Sequence, residues 1–435
     1  MYFIIETEDQ LARLPTEDTC FMQVIPSNDH QHPKLAKPSL IYYRLSTKGY
    51  ILVLNHYEGY SLSIDSVYKF LSKQKTIYVL DAKYHSYFLD LNNYVDINFT
   101  QLDKVNEVID FQCDTNLHRD FNYRINGPVN YIIPISKHYQ KCECLYEGIS
   151  QHISPEIDVI GQKELITAYK KVEEVGIAIN EDKLLELYEI KHKDYSISGN
   201  KIYTSYNLYN LTGRPTNSFN NINFLAIPKE EAYRSCFVPN NDYFVDFDFD
   251  AYHLRLIGDL INYSLPKESL HNYFGKLYFK KDTLTPEEYD ESKKISFKQL
   301  YGGVDKKYKH IDFFNHLDQF IESKWNSYTK DGYIILPTGR VLRQLRGMNS
   351  TKLFNYIIQN LETKQNVKKI NDIHNLVESQ GYKSRIVLVT YDSLLLDYAL
   401  EDGKQALIDI KAILESGGMM VKHKYGKSYY FSIKS

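Results

Sequence analysis

The sequence predicts an α/β chain, and three observations carry that prediction. Residues 1 to about 112 contain short apolar runs parted by turn signals, which read as strands around one helical stretch. From about residue 160 onward, helical and strand-like segments alternate. Near the middle, "VDFDFDAYHLRL", Val245 to Leu256, passes straight from a strand pattern into a helical one.

The first region supplies "YFIIE", "CFMQVI", "SLIYYRL", "YILVLNH" and "TIYVLDA" as strands and "IDSVYKFLSK" as a helix, a small α/β domain. Residues 113 to 160 read as irregular, with "NGP" and "SPE" as turns. Two helices follow, broken near Gly176, and then a strand-like stretch ending in a polar loop, "GNKIYTSYNLYNLTGRPTN". Tyr243 to Phe249 reads as a strand and Ala251 to Tyr263 as a helix. Thr285, Pro286 and Glu288 form a capping pattern that starts a helix, and Gly302–Gly303 ends it. A long helix runs through "STKLFNYIIQNLETKQNVKKINDIHNLVES", and "RIVLVTYDSLLLDYAL" gives two strands around a tight turn at Tyr391–Ser393.

Composition narrows the function. The 435 residues suffice for two or three domains and a sizeable core. A net charge of −3 excludes a protein that coats nucleic acid through general basicity, so any such contact must be local. The 39 tyrosines, with abundant Lys, Asn and Ile, fit an AT-rich genome. The five cysteines have no disulfide-framework spacing, which fits a reducing, cytoplasmic setting, and "HYQKCEC" is a weak zinc pattern. No segment reads as a signal peptide or a membrane span.

Asp246, Asp248 and Asp250 alternate along one strand edge. Such a row serves either as a solvated face or as a site for a hard cation such as Mg²⁺. Asp392 tops a second apolar hairpin, and two acids so placed could share a pair of Mg²⁺ ions during phosphoryl transfer. Tyr289, Lys293, Phe297 and Tyr301 fall on one helical face. That face reads either as a core stripe with a snorkelling amine or as a nucleotide platform. Asn355 and Gln359, four apart, are either surface polars or donors to minor-groove acceptors.

In order and spacing these segments resemble the polymerase domain of A-family, polymerase I-like DNA polymerases. "TGRPTNSFNNINFLAIP" is similar to the family's TGR…NLQNIP segment, "DFDAYHLRL" to motif A and "KKISFKQLYGG" to motif B. "DGYIILPTGRVLR", "NYIIQNLETKQ", "VTYDSLLL" (motif C) and the last strand "VKHKYGKSYYFSI" follow in the family's order. The resemblance covers about residues 160–435. It implies a right-hand fold with an α+β palm, fingers at about 264–325 and a reduced thumb, and an organisation of 1–112, 113–204 and 205–435. It implies Asp248, Asp392 and the Phe249 carbonyl as ligands of two Mg²⁺ ions, replaceable by Mn²⁺. Lys293 is then catalytic and phosphate-binding, and His253, His271, Tyr289, Phe297 and Tyr301 are nucleotide-binding. Arg214, Arg340, Asn355 and Gln359 become DNA-binding. The implied partners are primer–template DNA and dNTPs, with no membrane; no motif specifies other replisome proteins.

The chain departs from the family at Tyr391 and Ser393 in motif C, at His253 where motif A has Glu, and at Tyr289 where an Arg usually meets phosphate. Sugar discrimination and triphosphate binding are expected to be weaker in consequence. Asp246 and Asp250 match no required position and read as solvated or as extra negative field. Residues 1–112 resemble the family's 3′–5′ exonuclease domain without its acids; His85 stands at one acid's place. Two functions follow from this reading: a template-directed DNA polymerase without proofreading, or a non-catalytic DNA-binding replication accessory on the same scaffold. A contracted chain of this composition is compatible with a bacterial or phage-like source.

Overall fold

The computed structural model describes residues 2–28, 32–100, 129–150, 159–188, 197–217, 223–343 and 345–431. The turn signals at 126–128 and 154–156 lie outside these, as do residues 218–222 of the "TGR" segment. The chain divides into two compact units: residues 1–170, 184–205 and 218–222, and residues 171–183, 206–217 and 223–435.

The first unit holds a six-stranded mixed sheet. Its strands are β1 (Phe3–Ile5), β2 (Thr19–Pro26), β3 (Pro38–Arg44), β4 (Gly49–Val53), β5 (Thr76–Val79) and β6 (Tyr94–Asp96), in the order β1-β4-β3-β2-β5-β6. The apolar runs are continuous because both faces are covered. Along β3, Ile41 and Tyr43 enter one core and Leu40 and Tyr42 the other. The helix Ile64–Leu71 closes the first face with Val67 and Leu71. The helix Ile135–Ser150 closes the second with Ile135, Cys142 and Ile149.

That second helix corrects the reading of residues 113–160 as irregular. Its buried positions, Ile135, His138, Cys142 and Ile149, form a stripe at helical spacing. His138 Nε2 bonds the Asn130 carbonyl at 2.9 Å, and Cys142 is a buried thiol, so both are packing residues.

The second unit centres on a four-stranded antiparallel sheet. Its strands are β7 (Tyr243–Phe249), β8 (Arg385–Thr390), β9 (Ser393–Tyr398) and β10 (Val421–Gly426), ordered β8-β9-β7-β10. β7 has the bounds its alternation predicts, because Phe244, Val245 and Phe247 are buried. Ala251, left-handed at φ 52°, turns the chain into α1 (Tyr252–Leu260). Arg255 on α1 is buried and donates to the carbonyls of Asp250, Pro266 and Glu268, which fixes this turn against the following loop.

Two helices follow, α2 (Leu270–Phe279) and α3 (Pro286–Gly302). The predicted capping box at Thr285 and Glu288 starts α3. α4 (Ser350–Gln380) is the long helix, 31 residues. No helix among the described residues is long and apolar enough to cross a membrane.

Candidate active site

The central strand delivers its acids to one end of the sheet. Asp248 stands opposite Ser393 on β9 and Lys422 on β10. The β8–β9 hairpin turns at Tyr391, left-handed at φ 57°, and Asp392. The Phe249 N–H donates to the Asp392 carbonyl at 2.9 Å, tying the turn to the end of β7. Asp248 and Asp392 are thereby brought together.

Their charges interact. Surrounding protein raises the Asp248 carboxyl to about 6, and Asp392 and Asp246 add to the rise. Burial raises Asp392, and Glu362 adds to it. Asp246 is also raised by burial, and its Oδ1 is buried with no hydrogen-bond partner. Asp246 is therefore not the solvated acid that its sequence position suggested. Neither is Asp250, which is 8% exposed and ion-paired with Lys422.

Mutually repelling carboxylates and an unpartnered carboxylate oxygen make a donor set suited to a hard divalent cation. Among the described residues, no group of three or more His, Cys, Asp or Glu side chains is placed to hold a metal. A cation at Asp248 and Asp392 would complete its shell with backbone, water or substrate oxygens.

Helix α3 settles which of its faces is core. Ser292, Ser296, Gln299 and Leu300 are buried, while Phe297 is 47% exposed. Of the Tyr289–Lys293–Phe297–Tyr301 stripe, Phe297 is exposed and the other three are half-buried. The Phe297 and Tyr301 rings stack 6.1 Å apart, and His271 on α2 packs edge-on to Tyr289 at 6.1 Å. Lys293 Nζ lies 4.4 Å from the Tyr289 ring centroid and 3.2 Å from the Asp290 carboxylate. Burial pushes the His271 imidazole down to about 4, so at neutral pH it offers a hydrogen bond rather than a charge; its Nδ1 is buried and unpartnered.

A buried polar network joins these elements. His253 on α1 contacts the Tyr301 hydroxyl through Nδ1 and the Glu362 carboxylate through Nε2, the latter at 2.6 Å. Glu362, on α4, is 1% exposed and also pairs with Arg214 at 3.0 Å. Burial holds the Tyr301 phenol protonated. A carboxylate only accepts, so Nε2–H donates to Glu362, while Nδ1 and the Tyr301 hydroxyl form the second bond. The Arg214 guanidinium stacks 3.5 Å from the Tyr391 ring centroid, beside Asp392.

Of the other expected DNA contacts, Arg340 and Asn355 make bonds within the chain. Arg340 donates to the carbonyls of Leu208 and Asn210 at 2.9 and 3.0 Å, holding the loop that carries Arg214. Gly213 in that loop has φ +74°, and a Cβ there would meet Asn360 Nδ2 at 2.5 Å. Asn355 donates to the Tyr301 carbonyl at 3.3 Å, bracing the end of α3, and Gln359 is half-buried one turn on.

Glu362 and Asn366 were not anticipated. The signal existed: positions 355, 359, 362 and 366 share one helical face, so extending the Asn355–Gln359 pair reaches both. Asn366 donates to the Tyr391 carbonyl at 2.8 Å and accepts from the Tyr252 hydroxyl at 2.8 Å, positioning the Asp392 turn against α1.

No protein-family profile matches the sequence, and no curated protein matches it. Among solved structures, the chain is similar to the POL domain of Pol1 from M. smegmatis, determined with DNA primer-template and dNTP. The TM-score is 0.69 at 13% identity, covering 99% of this chain and 99% of that one. The chain therefore shares the mixed α/β fold of that POL domain.

Proposed function

We propose that this chain is a template-directed DNA polymerase that adds dNTPs to a primer 3′ end. The observation that carries the proposal is the meeting of Asp248 and Asp392 at the end of the palm-like sheet, in a fold shared with a polymerase domain. Primer–template DNA and dNTPs, bound by that structural relative, are the partners inferred for this chain.

Asp248 and Asp392, with the Phe249 carbonyl, would hold Mg²⁺, which supplies Lewis-acid stabilisation of the attacking and leaving oxygens. The reaction forms a bond from the primer 3′ oxygen to the α-phosphorus and breaks the bond to the β-phosphate bridge; the hydroxyl proton passes to solvent and pyrophosphate leaves. Lys293 faces the triphosphate, Phe297 and Tyr301 give the base and sugar a flat surface, and His271 offers an uncharged hydrogen bond to phosphate. His253 lies beneath the sugar and opposes a 2′-hydroxyl by bulk. Residues 1–112 act as an exonuclease-like module without nuclease chemistry, 113–204 as linker and reduced thumb, and 205–435 as palm and fingers.

The test is primer extension by purified protein with Mg²⁺ and all four dNTPs. Template-dependent extension is expected. A protein that binds primer–template tightly yet adds no nucleotide with Mg²⁺ or Mn²⁺ would instead be a DNA-binding accessory.

A further inference from the structure

Strand β10 carries Lys422 and Lys424 at alternate positions, in register with Asp248 and Asp246 on β7. Residues directly opposite in an antiparallel pair leave the sheet on the same face. The two lysines therefore stand beside the two acids. Lysine on an edge strand commonly blocks edge-to-edge pairing, and Lys424 needs no more than that.

Lys422 has further neighbours. Its ammonium pairs with Asp250, whose carboxylate is buried while the lysine side chain stays 65% exposed. Its charge is felt at Asp248 and at His271, and Tyr289 in turn acts on it. Lys293 also acts on His271. Lys293 lies over the Tyr289 ring that packs edge-on to His271, so one ammonium group from α3 and one from the sheet neighbour the same region, where His271 Nδ1 is unpartnered. Lys422 is ion-paired with Asp250, with Asp248 opposite it in register, and Lys293 is ion-paired with Asp290. A polyphosphate chain carries more charge than either paired carboxylate and presents oxygens to both lysines at once.

We propose that Lys422 is a second phosphate-binding cation: with Lys293 it grips the triphosphate of the incoming nucleotide, exchanging Asp250 for phosphate oxygens. This deepens the polymerase reading and rests on it for the identity of the ligand. It also gives the site a cation from the sheet, where Tyr289 supplies none from the helix.

Calorimetric titration with inorganic tripolyphosphate separates the two claims, because it needs no catalysis. Lys422→Ala is expected to weaken tripolyphosphate binding about tenfold or more, the usual loss for a charge-assisted contact. Lys422→Arg should stay within about threefold of wild type, since it keeps the charge. Lys427→Ala is the control, because Lys427 holds the Asp242 carbonyl at the other end of β7. In single-nucleotide insertion, Lys422→Ala should raise KM for dNTP about tenfold with a smaller change in kcat. Wild-type affinity in Lys422→Ala, an equal loss in Lys427→Ala, or no tripolyphosphate binding by wild type would overturn the proposal. Lys422-dependent binding in a protein that never extends a primer would keep the phosphate site and reject the polymerase.

Discussion

At His253 the strand-to-helix turn carries an imidazole, and a buried carboxylate reaches it from another helix. Glu362 reaches the same imidazole from α4, itself paired with Arg214. Removing one partner of a buried charged pair leaves the others unsatisfied. Glu362→Ala is therefore expected to loosen Tyr301 through His253 and to weaken dNTP-over-rNTP selection about tenfold, or ~1.4 kcal/mol. His253→Ala should weaken it as well, by opening space. Competing insertion of dNTP and rNTP measures both, and an unchanged ratio in both variants would remove His253 from the sugar site. Lys293→Ala should reduce kcat/KM for dNTP by about two to three orders of magnitude, ~3–4 kcal/mol, typical of a lost charge at a phosphoryl transition state. A reduction under threefold would leave the phosphate grip to other residues. Lys293 and Tyr301 were legible in the sequence because they recur at helical spacing, and His253 only through the resemblance of its segment to a motif. The sequence gave no sign of Lys422, whose partners are set by strand register, and it placed Glu362 on the Asn355–Gln359 face without showing which residues that face meets.

Among the elements, α3 shows how far pattern reading reaches. Its start was legible in Thr285, Pro286 and Glu288. Which face it buries was not, because the core face is made of small polar residues. Ser292 bonds the His271 carbonyl at 2.6 Å, and Gly275 lets α2 approach so closely that a Cβ there would lie 3.1 Å from Ser292 Cβ. Close helix packing thus buries Ser292 and Ser296 while Phe297 stays exposed, the reverse of what hydrophobicity alone suggests. The N-terminal sheet makes a different prediction. His85 is fully buried and His138 nearly so, and burial holds both imidazoles down at about 4. In the unfolded chain histidine titrates near 6.5, so the unfolded state gains protons first on acidification. Stability present above pH 6.5 is therefore lost as pH falls toward 4, by up to about 3 kcal/mol at His85. Thermal melts at pH 7.5 and 4.5 should show that loss, and His85→Gln should flatten it; an equal pH slope in the variant would refute the assignment. On the proposed reading of residues 1–112 as an exonuclease-like module, His85 takes the place of an acid. No 3′-end degradation is expected with Mg²⁺ or Mn²⁺, and activity that vanished on mutating residues of this sheet would contradict that.

The whole molecule joins a fold shared with a DNA polymerase domain to a site assembled from segments far apart in sequence. Residues 214, 248, 253, 301, 362 and 392 belong to one compact unit, yet their order along the chain says little about who touches whom. The central claim is that Asp248 and Asp392 act together on the transition state while DNA affinity comes from phosphate contacts elsewhere. The most direct measurement compares wild type, Asp248→Asn and Asp392→Asn in primer extension with Mg²⁺, alongside primer–template affinity at fixed salt. Each variant should lose extension by at least about a thousandfold while holding DNA within about threefold of wild type. Near-normal extension by either variant would contradict the account.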